Sequence, residues 1–287
     1  MTGTITLDEW VSQFTLQAKS RALWKAIRWE FEEQRPPMTV RQMFYRMSAI
    51  GQVAKTEGGY RQVQYALTAM RKQGAIPYDW LADNTRWRRK PRTYSGLAAM
   101  LRESQALYRR ALWDNQPSYV EIWLEKDALA GVVYDITERW DVPLYVTRGY
   151  PSLSYLYDAA EHLRGIDKPI YVYHFGDFDA SGADAARSVR DGLRDFGAQF
   201  IFEQVAVTEW QIATLGLQTR PAKRSDPRAK GWGAAAVELD AIPPDTLRRM
   251  VDDTIQRHID PEALGALERE QAAERESLDA VISRFLY

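Results

Sequence analysis

The chain has 287 residues, 45% of them hydrophobic and 12% aromatic, and its 38 Lys and Arg against 39 Asp and Glu leave a net charge of −1. That is enough apolar material for a sizeable core and enough length for two domains. Zero cysteines exclude disulfides, thiol nucleophiles and cysteine zinc sites, and His162, His174 and His258 leave little imidazole chemistry, so carboxylates, tyrosine, arginine or lysine must carry any reaction.

Residues 7–34 carry Trp10, Phe14, Leu23, Trp24, Ile27 and Phe31 at near-helical spacing and stop at Arg35-Pro36-Pro37, which predicts one or two leading helices within residues 1–36. Thr39 followed by Gln42 is a capping-box signature, and Gly51 ends the helix it starts. On that helix Val40, Met43, Phe44, Met47 and Ile50 fall in one arc, a core stripe; Tyr45 lies nearly opposite its centre, on an exposed face, with Arg41 one turn before it. The next segment, GGYRQVQYALTAMRKQG, places Tyr60, Val63, Leu67 and Met70 on one stripe and Arg71 and Lys72 off it. Ile76–Trp80 is predicted as a short edge strand or wing, followed by the basic run Arg86 to Arg92. Helix, turn, helix and basic wing is a winged-helix pattern for residues 37–115, with Arg71, Lys72, Arg86, Arg88, Arg89 and Lys90 placed to meet DNA phosphates.

After a predicted connecting helix from Tyr94 to Trp113 the pattern becomes alternating strands and helices. The strands are Tyr119–Leu124, Leu144–Val146, Ile170–Phe175, Phe200–Val207 and Val237–Leu239; helices start near Leu129, Leu153, Gly182 and Leu247. Such alternation predicts an α/β domain over residues 116–287, a mainly parallel sheet flanked by helices with further helices at the C-terminal end, and ligands at the carboxyl ends of the strands.

Charge divides with the pattern. Residues 1–115 hold 19 basic against 10 acidic residues, or +9, and residues 116–287 hold 19 against 29, or −10. A basic half suits phosphate contacts, while the acidic half would repel a polyanion unless cations sit between them. Two oppositely charged surfaces docking on each other is the alternative. The opening MTGTITLDEW lacks a charged start with an apolar run, and no stretch approaches the roughly 20 apolar residues a bilayer needs, so a soluble, cytoplasmic protein is expected.

Two constellations carry chemistry. Tyr45 beside Arg41 reads either as a surface tyrosine in contact with an arginine or as a nucleophile attacking a phosphodiester, with Arg41 stabilising the transition state. Strand Tyr119–Leu124 ends in Glu125-Lys126-Asp127 and strand Ile170–Phe175 ends in GDFDASG. Asp177, Asp179 and Glu125 thus outline an oxygen site for Mg²⁺, although Asp and Gly also favour plain turns. Glu121, alternating with Glu125, is the second choice of ligand. Glu238 and Asp240 are either further acids at the metal or the end of a strand before Pro243-Pro244. Lys223, Arg224, Arg228 and Lys230 form a basic loop that either touches DNA or is merely solvated.

GDFDASG with a strand-terminal Glu125 before it resembles the Toprim domain, and TVRQMFYR resembles the Arg-x-x-Tyr-Tyr motif of the topoisomerase VI A subunit and its relatives that make meiotic double-strand breaks. RGYPSLS resembles the family's glycine-rich segment after the second strand. The likeness covers roughly residues 39–255 in the family's order. It implies Tyr45 as the cleavage tyrosine with Arg41 beside it; Glu125, Asp177 and Asp179 as Mg²⁺ ligands; double-stranded DNA as substrate; a 5′-phosphotyrosyl intermediate; and a homodimer in which Tyr45 of one subunit meets the metal of the other. Phe44 stands where the family's first tyrosine would be, leaving Tyr45 as the one hydroxyl of the pair. A B-type ATPase subunit is the partner of such A subunits; the short chain without an ATPase portion resembles instead the stand-alone A-like proteins called Mini-A. A metal-dependent nuclease using activated water, with Tyr45 only touching phosphate, and a non-catalytic DNA-binding module are the alternatives.

Overall fold

Two runs of β-branched and aromatic residues, Tyr119–Leu124 (β1) and Ile170–Phe175 (β3), lie side by side in parallel, from Tyr119 beside Ile170 to Leu124 beside Phe175. The computed structural model describes residues 6–82, 91–220, 232 and 236–286, without the side chains of 285 and 286. Leu144–Val146 (β2) pairs with the outer edge of β1 and Ile201–Ala206 (β4) with that of β3, giving a parallel sheet in the order β2-β1-β3-β4. Asp127–Arg139 (α6), Leu153–Arg164 (α7) and Ala180–Asp195 (α8) make the crossovers.

Strand periodicity sends alternate side chains to two cores. Ile122, Leu124 and Phe175 face α6, through Leu129 and Val133, and Pro244–Gln256 (α10), through Leu247 and Val251. Trp123, Ile170 and Val172 face α7 and α8, through Leu156, Leu163, Val189 and Leu193. Helices therefore cover both faces, and the chain leaves β1 and β3 towards opposite ones. Where neighbouring parallel strands diverge in this way, a crevice opens beyond their carboxyl ends. The sequence motifs ending in Glu125 and Asp177 sit there.

The N-terminal part is helical: Leu7–Ser12 (α1), Ala18–Gln34 (α2), Val40–Ala49 (α3) and Glu57–Lys72 (α4) enclose their own core of Trp24, Ile27, Phe31, Met43, Met47, Val63, Leu67 and Met70. The Thr39 capping box forms as expected: its hydroxyl accepts from Gln42 N, and Gln42 Oε1 accepts from Thr39 N. Leu97–Leu107 (α5) packs against the last helix, Pro261–Leu286 (α11), and Arg110 pairs with Glu270 and Glu274 of α11 at 2.8 and 3.1 Å. Glu209–Thr214 (α9) follows β4. Among the described residues no helix is long and apolar enough to cross a membrane.

Three predicted elements differ. Ile76–Trp80 is not a strand: Pro77 leads into a 3₁₀ turn at Tyr78–Trp80, and the extended contact is one bridge between Met38 and Leu81. Val237–Leu239 is not a sheet strand either. Val237 makes a single antiparallel bridge to Phe178, and a 3₁₀ turn takes over at Leu239–Ala241. The connecting helix expected from Tyr94 to Trp113 shortens to α5 and a 3₁₀ turn at Leu112–Asp114. Arg86, Arg88, Arg89 and Lys90, and the loop cations Lys223, Arg224, Arg228 and Lys230, lie outside the described residues.

Candidate active site

The two glycines of GDFDASG shape the crevice by what they lack. A Cβ on Gly176 would stand 2.7 Å from Glu125 Oε2, and one on Gly182 would stand 2.3 Å from the Asp177 carbonyl oxygen. With hydrogen in those places the segment folds tightly onto the ends of β1 and β3. Glu125 Oε2 accepts from Asp177 N at 2.9 Å, and Asp179 Oδ1 caps α8 by accepting from Gly182 N at 2.8 Å.

Glu125, Asp177 and Asp179 all line one cavity of about 750 Å³, walled on its other side by Thr39, Arg41 and Tyr60 of the helical part. Glu238 and Asp240 line it as well. These two acids, split in the sequence reading between metal site and strand end, are drawn in by the turn at Leu239–Ala241, whose Leu239 N donates to Asp177 Oδ1 at 2.8 Å.

Cations are threaded among the acids. Lys126 Nζ stands 2.7 Å from Asp240 Oδ2, 3.0 Å from Asp177 Oδ1 and 3.6 Å from Glu238 Oε2. Arg220 reaches Glu238 at 2.7 Å and Asp179 at 3.3 Å. From α3, Arg41 Nη1 donates to Glu238 Oε2 at 3.0 Å and Thr39 Oγ1 donates to Asp240 Oδ1 at 3.2 Å. The sequence reading did not single out Lys126 or Arg220. For Lys126 a signal existed, since it directly follows Glu125 at the end of β1; Arg220 had none.

Electrostatics follow from this threading. Burial alone would lower the Lys126 ammonium, but Asp240, Asp177 and Glu238 outweigh it and raise its pKa. Burial works against the charged Glu238 carboxylate, yet Lys126, Arg41 and Arg220 hold its pKa below the usual value. Glu125 differs: burial and then the adjacent Asp177 push it up to about 7. It has no ion pair among the described residues.

Tyr45 does not stand on an exposed face. It is only 6% exposed and belongs to the N-terminal core, while Ile50, assigned to the core stripe, is 43% exposed. A helix wheel shows one packed side, but α3 meets the Leu239–Ala241 turn as well as α2 and α4. The cation over the Tyr45 ring is Lys55, 5.3 Å from its centroid, and Arg41 lies instead over Tyr60 at 5.1 Å. Burial and then Glu238 raise the phenol pKa, opposed by Lys126, Arg220 and Arg41. Tyr45 thus feels the charges of the acid cluster, although it does not itself line the cavity.

Arg71 lines the same cavity, its guanidinium 5.5 Å from the Tyr78 ring centroid, whereas Lys72 is exposed on α4. Arg148, from the RGYPSLS segment, enters the wall and pairs with Asp127 at 3.0 Å. Glu121, the second choice of ligand, is excluded from the site. It is fully buried on the α7 and α8 face of the sheet and accepts from Trp123 Nε1 at 2.8 Å.

Among the described residues no three acids or histidines are grouped at the spacing of a metal's ligands. The oxygens of Asp177 and Asp179 are turned to Leu239 N, Lys126, Gly182 N and Arg220. No protein-family model matches the chain, and no curated protein matches it significantly.

Proposed function

We propose that this protein cleaves double-stranded DNA by transesterification, with Tyr45 as nucleophile and a Mg²⁺-dependent acid site at the carboxyl ends of β1 and β3, as in the A subunit of topoisomerase VI. The observation that carries the reading is the shared ion network: Arg41, one turn before Tyr45, is bonded to Glu238 in the crevice that holds Glu125, Asp177 and Asp179. Helix α3 and the acids come from distant parts of the chain and meet at one cavity.

The donor set fits a hard cation in one respect. Glu125 and Asp177 are neighbouring carboxyls, joined by the Asp177 N–H donated to Glu125 Oε2, and Asp177 already takes a positive charge in the form of the Lys126 ammonium at 3.0 Å. Glu125 and Asp177, with Asp179 turning from Arg220, would hold Mg²⁺. When bound it would offset the negative charge of the scissile phosphate region.

The residues of the chain would divide the remaining work. The Tyr45 oxygen attacks phosphorus, its bond to phosphorus forms as the bond to the 3′ oxygen breaks, and the phenolic proton ends on the departing 3′ oxygen. Arg41 stabilises charge on the phosphoryl oxygens. Arg71 and Lys72, with the basic run at residues 86–92, hold the duplex backbone. Attack requires Tyr45 to leave its cover, and the homodimer implied by the resemblance supplies the way, Tyr45 of one subunit meeting the acids of the other.

A second reading has its own support: Tyr45 is only 6% exposed, which favours hydrolysis in which water attacks instead of the phenol. Denaturing trapping with end-labelled duplex and Mg²⁺ separates the two. Protein covalently joined to the 5′ end supports transesterification; cut DNA with free ends and no adduct supports hydrolysis; intact DNA defeats both.

A further inference from the structure

Lys126 is unusual among the charged groups of the cavity. Its side chain is 22% exposed, and Nζ contacts three carboxylates from two segments, Asp177 at 3.0 Å, Asp240 at 2.7 Å and Glu238 at 3.6 Å. A lysine ammonium is a compact point charge on a flexible four-carbon stem, able to move between acceptors as a rigid guanidinium cannot. One of those acceptors, Asp177 Oδ1, is also held by Leu239 N. Asp177 Oδ1 is therefore held by both a protein cation and a backbone donor, while its neighbour Glu125 takes the Asp177 N–H and no ion pair among the described residues.

We infer that Lys126 is a tethered competitor of the divalent cation: its ammonium neutralises the acid cluster until a metal takes Asp177, and it then retreats onto Asp240 and Glu238. The inference rests on the proposed metal site and adds a residue role to it. Three physical points carry it. Carboxylates this close would repel one another without a charge among them. The ammonium is anchored more closely by Asp240, which is no proposed ligand, than by Asp177, so it has a place to go. Its two other acceptors, Asp240 and Glu238, bond Thr39 and Arg41 of α3, so its position is felt by the helix bearing Tyr45. Lys126 acts through the acids and is a positioning residue.

The test is Mn²⁺ binding to the full chain, read from loss of the free-ion electron paramagnetic resonance signal, with folding followed by thermal melting. Lys126→Met, of similar shape and no charge, should bind Mn²⁺ about tenfold or more tightly than wild type, because a positive charge beside the ligand is gone. Lys126→Arg, which keeps the charge on a rigid guanidinium that cannot make the retreat, should bind several-fold more weakly than wild type. Asp240→Asn, which removes the retreat, should bind several-fold more weakly. If Lys126→Met melts cooperatively and binds Mn²⁺ no more tightly than wild type, the inference is wrong and the metal site stands. Should Lys126→Met fail to fold, Asp240→Asn decides alone: unchanged or tighter affinity overturns the inference. Absence of Mn²⁺ binding in wild type and in every variant overturns the metal site itself, and the role of Lys126 with it.

Discussion

Arg41 donates to Glu238 at 3.0 Å across 197 positions of sequence, and Glu238 in turn takes Arg220 at 2.7 Å. The helix that carries Tyr45 is thereby tied to the turn that closes the acid crevice. Arg41 is substantially exposed, so solvent screens this pair, and a double-mutant cycle of Arg41→Ala with Glu238→Gln should give a coupling of about 0.5–1 kcal/mol in chemical denaturation. A coupling near zero would mean the helix is held to the crevice by packing and by the Thr39–Asp240 hydrogen bond.

Replacing Tyr45 by Phe removes one hydroxyl from a site already packed against Phe44, with ring centroids 5.5 Å apart. The melting temperature should move by no more than the equivalent of about 1 kcal/mol. Covalent attachment to DNA should vanish while DNA affinity persists. Undiminished cutting by this variant would hand the reaction to hydrolysis.

Asp179 has two separable jobs, one per oxygen. Its Oδ1 caps α8, and Asn in its place can still accept from Gly182 N, so Asp179→Asn should leave stability nearly unchanged while reducing Mg²⁺-dependent cleavage. Asp179→Ala loses the cap as well and should cost about 1 kcal/mol more in denaturant unfolding. Equal stability of the two variants would show that the cap is dispensable.

Local chemistry made much of this legible beforehand. The Thr39 and Gln42 cap, the runs that become β1 and β3, and the acids at their ends all depend on neighbours in sequence, where periodicity and capping rules apply. What escaped depended on distant neighbours. Tyr45 looked exposed because a helix wheel has no knowledge of a second packing partner, here the Leu239–Ala241 turn. The Pro77 and Val237 segments mimic strands in composition, yet what extended pairing there is comes down to isolated bridges, at Leu81 just after the first and at Ala236 and Val237 in the second. The threading of Lys126 and Arg220 through the acids joins residues on unrelated elements, and no spacing rule reaches across them.

Two buried groups on the α7 and α8 face of the sheet contribute to the pH response of stability, alongside Glu125 in the crevice, which is pushed up to about 7 and acts in the same direction as Glu121. Burial first, eased by hydrogen bonds, pushes the Glu121 carboxyl up to about 8 from 4.5, so the folded state keeps a proton that the unfolded chain has lost, and stability falls as pH rises through that window. Burial lowers His174 to about 4 from 6.5, so its contribution is lost in the other direction, as pH falls from 6.5. Below pH 6.5 the two oppose each other; between 6.5 and 8 Glu121 acts without that opposition. Glu121→Gln should therefore flatten the decline in unfolding free energy between pH 6.5 and 8 and gain stability over wild type at the upper end. A slope undiminished by the substitution would place the titrating group elsewhere.

The division of charge makes the last test, because it concerns the proposed hold on DNA and not the proposed cleavage. A basic half of +9 and an acidic half of −10 in one chain should give affinity that falls linearly with salt on a log–log plot, at about −0.9 per phosphate neutralised. Arg71 lines the cavity and Lys72 stands exposed beside it on α4, so both should contribute to that slope if the duplex runs along this helix. Arg71→Ala with Lys72→Ala in the full chain should reduce the slope by up to about two units and weaken unrelated DNA sequences equally, since phosphate contacts position without specifying. The cation over the Tyr78 ring gives Arg71 a structural duty too, so Lys72→Ala alone serves as the control, with an expected change of up to about one unit and no effect on melting. If neither variant alters the slope, α4 does not face the phosphates, and the basic half meets the acidic one instead of DNA.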